Sequence, residues 1–170
     1  DLKPSNIIVD KDGQPVITDF GLAKEVGAEQ TITAPGAAVG TALYMSPEQA
    51  ASQPADACSD LYSLGIVLYE MITGRVPFEG ESPTAIMMQH LTTPPPLPRQ
   101  FNSNISESVQ AVILKALAKN PSDRFQDGDA LARAFEAVVR EMEPASATMA
   151  STQAATLAER IPTPATAAKP

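Results

Sequence analysis

Four residues near the start of the chain could do chemistry together: Asp1, Lys3, Asn6 and Asp19. A carboxylate can accept or orient a hydroxyl proton, and an ammonium two residues away on the same short loop can sit against an anion under attack. The oxygens of Asn6 and Asp19 are hard donors of the kind magnesium prefers. Phosphoryl transfer from ATP to a hydroxyl asks for this set: a carboxylate near the attacking oxygen, cations on the phosphates, and ligands that hold those cations. Each piece alone is weak. Asp19-Phe20-Gly21 is a common turn sequence, and Asp1-Leu2-Lys3-Pro4 could cap any helix. Their order along the chain carries the reading.

The elements that must position these residues follow from local pattern. Ile7-Ile8-Val9 and Pro15-Val16-Ile17 are short apolar runs joined by the turn-rich Asp10-Lys11-Asp12-Gly13-Gln14, which reads as a β-hairpin with Asn6 at its start and Asp19 just past its end. Residues 22–45 lack apolar periodicity and contain Gly27, Pro35, Gly36 and Gly40, so they read as a long irregular loop. Ser46-Pro47-Glu48-Gln49 has the residues of a capped helix start. Ser59 is expected to cap the next helix, which is apolar on nearly every face from Leu61 to Ile72 and stops at Gly74. A helix from Ser82-Pro83 to about Leu91 precedes Pro94-Pro95-Pro96-Leu97-Pro98, a rigid connector or a ligand for a proline-binding module. Val109, Val112, Ile113, Ala116 and Leu117 mark an amphipathic helix from about Ser106, and Leu131, Phe135, Val138, Val139 and Met142 a last one. His90 is read as a structural residue within its helix. Residues 143–170 are Ala, Thr, Ser and Pro with hardly a large apolar side chain, a composition expected of a disordered tail or linker.

Bulk properties narrow the function classes. At 170 residues and 44% hydrophobic, the chain can bury a sizeable core. Twelve Lys and Arg against 20 Asp and Glu leave a net charge of −8, which argues against a nucleic-acid partner. The lone Cys58 cannot form an internal disulfide, so a cytoplasmic location is expected. The most apolar stretch, Leu61 to Ile72, falls short of the ~20 residues of a membrane span.

The ordered combination of Asp1-Leu2-Lys3-Pro4-Ser5-Asn6 and Asp19-Phe20-Gly21 resembles the catalytic and magnesium loops of protein kinases. Gly40-Thr41 with Tyr44-Met45-Ser46-Pro47-Glu48 resembles the end of a kinase activation segment, Ser46 standing where Ala is more usual. Asp60-Leu61-Tyr62-Ser63-Leu64-Gly65 is similar to the start of the central helix, Gly74-Arg75-Val76-Pro77-Phe78 to the loop after it, and Asn120-Pro121-Ser122-Asp123-Arg124-Phe125 to the late arginine motif. The resemblance covers residues 1–142 and implies a mainly α fold: a kinase C-lobe in which a short β-hairpin carries the two loops. Lys3 and the Met45-Ser46-Pro47-Glu48-Gln49-Ala50 run are most similar to bacterial eukaryotic-like Ser/Thr kinases.

On that resemblance Asp1, Lys3 and Thr41 are catalytic, Asn6 and Asp19 hold magnesium and ATP, and Ile8 floors the adenine pocket. Phe20 packs inward, Gly21 lets the backbone turn, Glu48 and Arg124 pair in the interior, and Asp60 accepts backbone amides of the catalytic loop. Asp60 also suits a helix start by charge alone. Thr31 and Thr33 are expected autophosphorylation sites, with two solvated loop residues as the alternative. The implied partners are proteins bearing Ser or Thr, with a kinase homodimer also allowed, and a parent protein could be membrane-anchored beyond the linker. No Gly-rich loop, ATP-binding strand Lys or partnering helix Glu occurs in these residues. The chain therefore reads as a fragment beginning in mid-loop, without the N-lobe and inactive by itself, its central helix partly uncovered. Two other functions share parts of the pattern, a pseudokinase scaffold lobe and a small-molecule phosphotransferase. The intact Asp1, Lys3, Asn6 and Asp19 disfavour the first, and Ser46-Pro47-Glu48 with Arg124 disfavours the second.

Overall fold

The computed structural model describes residues 1–18 and 35–142. Ile7–Val9 (β1) and Pro15–Ile17 (β2) pair antiparallel, with Ile8 opposite Val16. Asp10 closes their connection: its Oδ1 accepts from the amides of Asp12 at 2.9 Å and Gln14 at 2.8 Å. Gly13 takes the left-handed turn at φ 79°, a conformation open to a residue without Cβ. The amide of Thr18 then donates to Asn6 O at 2.8 Å, so the two ends of the hairpin are held side by side.

Six α-helices follow among the described residues: α1 (Pro35–Ala42), α2 (Pro47–Ala50), α3 (Ala57–Thr73), α4 (Pro83–Thr92), α5 (Glu107–Ala116) and α6 (Gly128–Met142). α1 corrects the expectation of an unbroken loop to residue 45. Proline is tolerated at a first helical position, and four of the eight residues, Ala37, Ala38, Thr41 and Ala42, include three alanines, whose propensity offsets Gly36 and Gly40. α3 also starts earlier than expected. Asp56 is its N-cap, and Ser59 is the third helical residue, whose hydroxyl accepts from the Asp56 amide to complete a capping box.

Around α3 the other elements assemble. Tyr62, Ile66, Tyr69, Phe78, Ile113 and Leu117 form one buried cluster, and Leu61, Ala116, Phe125 and Leu131 another. α5 comes close enough at Gly65 that an added Cβ would lie 3.0 Å from Ala116 Cβ and from Leu117 Cδ2. α3 is consequently better covered than expected: of its large apolar side chains only Met71 is exposed. Large apolar side chains are instead exposed together on the hairpin, at Ile8, Val9, Val16 and Ile17.

The chain divides into two units, Asp1–Phe135 and Glu136–Pro170. In the second, the described residues are the last turns of α6, where Arg140 and Glu136 pair at 3.6 Å across one turn. The tail expected over 143–170 lies outside the described residues.

Candidate active site

The loop before β1 folds on itself. A 3-10 turn at Pro4–Asn6 forms where Pro4 presets the backbone, closed by the Asn6 amide on Lys3 O at 2.9 Å. Asn6, buried, donates from Nδ2 to Asp1 O at 2.8 Å. That bond fixes which end of the amide is which, leaving Oδ1, beside the Ser5 hydroxyl at 3.3 Å, as the atom able to meet a cation. The ammonium of Lys3 stands 2.9 Å from Asp1 Oδ2 and 3.4 Å from Thr41 Oγ1. Lys3 and Thr41, 38 positions apart, are thus brought into contact. Asp1 and Lys3 remain partly open to solvent, at 33% and 23%, as groups that must meet a substrate need to be.

From Thr41 to Ser46 the chain is tied down at successive residues. Ser63 Oγ donates to Tyr44 O at 2.7 Å, and Tyr44 OH donates to Glu70 Oε2 at 2.6 Å. Burial and the Glu70 carboxylate push the Tyr44 hydroxyl well above the usual tyrosine range. Ser46 caps α2 reciprocally with Gln49, and Pro47 occupies its first position.

Behind α2 lies a buried ion pair. Arg124 Nη1 and Nη2 reach Glu48 Oε1 and Oε2, each at 2.8 Å, in the bidentate geometry that a planar guanidinium permits. Its remaining donors go to Ala118 O at 2.8 Å, Cys58 O at 3.0 Å and Lys119 O at 2.9 Å, so all five N–H groups are used. The guanidinium also lies 4.9 Å from the Tyr62 ring centre. Burial alone would raise the Glu48 pKa. Arg124 and the Ser59 hydroxyl outweigh it and hold the carboxyl down at about 2. Lys119 sits 4.2 Å over the Phe78 ring and donates to His90 O at 2.7 Å; burial and Arg124 lower its pKa to about 8.

The structure brings together Asp1, Lys3, Asn6 and Thr41 as one group and Glu48 with Arg124 as another. Ile8 is 56% exposed on β1. Asp60 is exposed in the first turn of α3, and no hydrogen bond joins it to a described residue of the loop. Asp19, Phe20, Gly21, Thr31 and Thr33 lie outside the described residues. Tyr44 and Ser63 stand in motif stretches without a role of their own, and Glu70 and Lys119 stand in none. The available signal was Ser59 and Ser63, four residues apart in a helix apolar on most of its faces, since hydroxyls buried there require partners.

Residues 1–136 match the family model described as the protein kinase domain. The chain is similar to a probable serine/threonine-protein kinase of Streptomyces coelicolor, 42% identical over 88% of this chain and 22% of that protein. It is also similar to a probable serine/threonine-protein kinase of Corynebacterium efficiens, at 44% over 82% and 22%, and to the serine/threonine-protein kinase PknB of Mycobacterium leprae, at 46% over 74% and 20%. The chain spans about a fifth of the length of these curated relatives.

Proposed function

Because this chain belongs to the protein kinase family, we propose that its full-length gene product transfers the γ-phosphoryl group of ATP to Ser and Thr hydroxyls of proteins. The observation that carries this reading is the contact of one lysine with both Asp1 and Thr41. The Asp1 carboxylate orients the acceptor hydroxyl and takes its proton as the oxygen bonds to phosphorus. The bond from that phosphorus to the β-phosphate oxygen breaks, and ADP leaves. Lys3, held between Asp1 and Thr41, places positive charge on the oxygens of the phosphoryl in flight. Its link to Thr41 ties this charge to the segment beside which a Ser or Thr substrate would lie. Asn6 Oδ1 and the Asp19 carboxylate are the groups that would hold magnesium, which would neutralise phosphate charge when bound. Ile8, exposed on β1, supports an adenine contact. Glu48 and Arg124 anchor the segment, Thr31 and Thr33 are its candidate autophosphorylation sites, and residues 143–170 form a linker.

The test is labelled ATP with magnesium and paired Ser, Thr and Tyr peptides. Asp1→Asn in the full-length gene product is expected to lower kcat about 10²- to 10⁴-fold, the span of general acid–base contributions, with no change in melting temperature. Preferential labelling of the Tyr peptide, or an equally active Asp1→Asn protein, would refute the assignment.

A further inference from the structure

Between α4 and α5 the chain runs through Pro94-Pro95-Pro96-Leu97-Pro98. We propose that residues 93–98 are a docking strip for a partner protein that carries an aromatic-lined, proline-binding groove. The strip uses none of the residues of the candidate active site, so the proposal does not depend on the phosphotransfer reading. Its conformation follows from its residues. Each pyrrolidine ring holds φ at about −65°, and each residue before a proline is pushed to an extended ψ. Thr93, Pro94, Pro95 and Leu97 all precede a proline, which sets the run as a polyproline II helix. Leu97 stands at φ −68° and ψ 125°, and Thr93 leads in from α4 at φ −96° and ψ 125°. Both ends are fastened. The Thr93 amide donates to Gln89 O at 2.9 Å, and Pro98, fully buried, opens a 3-10 turn packed against α3 and α5. A partner therefore meets a strip that is already ordered, and binding does not have to offset the entropy of ordering it.

A polyproline II helix has three residues per turn, so residues three apart share an edge. Pro98 is buried and Pro95 half-buried, and this edge seats the strip on the fold. Pro94 and Leu97 make the edge turned outward, both exposed, Leu97 at 45%. Pro94, Pro95 and Pro96 have no N–H, and their carbonyls accept no hydrogen bond from a described residue. An apolar edge beside a row of unused acceptors is what a groove of Tyr and Trp rings recognises. The rings pack on proline and leucine, and an indole N–H or phenol O–H donates to a carbonyl. The nearest cation, Arg99, is paired with Glu107. The strip therefore suits a neutral aromatic groove of the WW-domain type better than an SH3-type groove flanked by an acidic pocket.

The probe is an isotope-labelled WW domain that binds Pro-Pro-Leu-Pro peptides, titrated with the unlabelled full-length gene product and read at the indole signal of its groove tryptophan. Saturable binding with Kd below about 1 mM is expected. Leu97→Asp should weaken it about 10-fold or more, whereas Met71→Asp, the same change at a side chain 74% exposed but off the strip, should stay within about 2-fold. Leu97→Asp should also leave the melting temperature and Ser/Thr peptide labelling unchanged. No saturable binding below about 1 mM, equal effects of the two Asp variants, or tighter binding to an SH3 domain than to the WW domain would overturn the proposal. If Leu97→Asp lowers the melting temperature, Pro94→Ala decides: it removes the other outward ring and is expected to weaken binding about 3-fold, and unchanged binding would refute the strip. A gene product that holds the WW domain but labels no peptide would sink the phosphotransfer reading and leave this one standing.

Discussion

Replacing Arg124 by alanine strands the Glu48 carboxylate, which is only 7% exposed, beside Ser59 with no cation to face it. The expected loss is about 3 to 5 kcal/mol in chemical denaturation. The same change at Arg99, whose partner Glu107 is 84% exposed, should cost under about 1 kcal/mol. The pair also sets an acid limit. Glu48 titrates near 2 when folded against an ordinary 4.5, so the unfolded chain takes up the proton first. Its contribution is fully present above pH 4.5 and is lost as pH falls towards 2, a slope that Arg124→Ala should flatten. His90 adds to the acid loss at higher pH. Burial and the Lys119 ammonium lower it from 6.5 to about 4, so its stabilisation is present above pH 6.5 and drains away between those values.

Among the elements, α3 and α5 approach closely at Gly65, and Gly65→Ala tests that contact. Alanine is the better helix former by about 1 kcal/mol, but its methyl would meet Ala116 Cβ, which cannot swing aside. Overpacking wins: a net loss of about 1 to 2 kcal/mol is expected, seen as a lower urea midpoint at unchanged slope. At this scale the sequence was legible wherever a signal was local. The hairpin, the Ser46 and Ser82 caps, the stop at Gly74 and the α5 stripe all stand within a residue or two of where pattern puts them. Two local signals misled. In α1 the glycines and proline outvoted the alanines, and at α3 Ser59 looked like the cap because Asp56 sits behind two small residues, Ala57 and Cys58, that could equally belong to a loop.

For the molecule as a whole, pairing at long range was legible only where family motifs supplied it, as for Glu48 and Arg124. Tyr44 with Glu70, 26 residues apart, and Lys119 with His90, 29 apart, depend on how helices meet, and no spacing rule announces them. The same scale decides activity. The 170 residues contain no Gly-rich loop motif, and among the described residues neither strand carries a lysine for the phosphates. Since positioning supplies most of the rate in phosphoryl transfer, this chain by itself is expected to give less than about 1% of the peptide labelling of the full-length gene product. Comparable labelling by the two would show that the nucleotide is held by some other part of these residues.

The Glu48–Arg124 pair closes a span of 76 residues, and that span has a meaning in time. At about 5 to 20 residues per second, a ribosome makes Arg124 about 4 to 15 s after Glu48. Throughout that interval the carboxylate behind α2 has no guanidinium, while the loop carrying Asp1 and Lys3 has long since emerged. A nascent chain therefore holds the loop of Asp1 and Lys3 well before it holds the ion pair that braces α2, which closes only once residue 124 has been made.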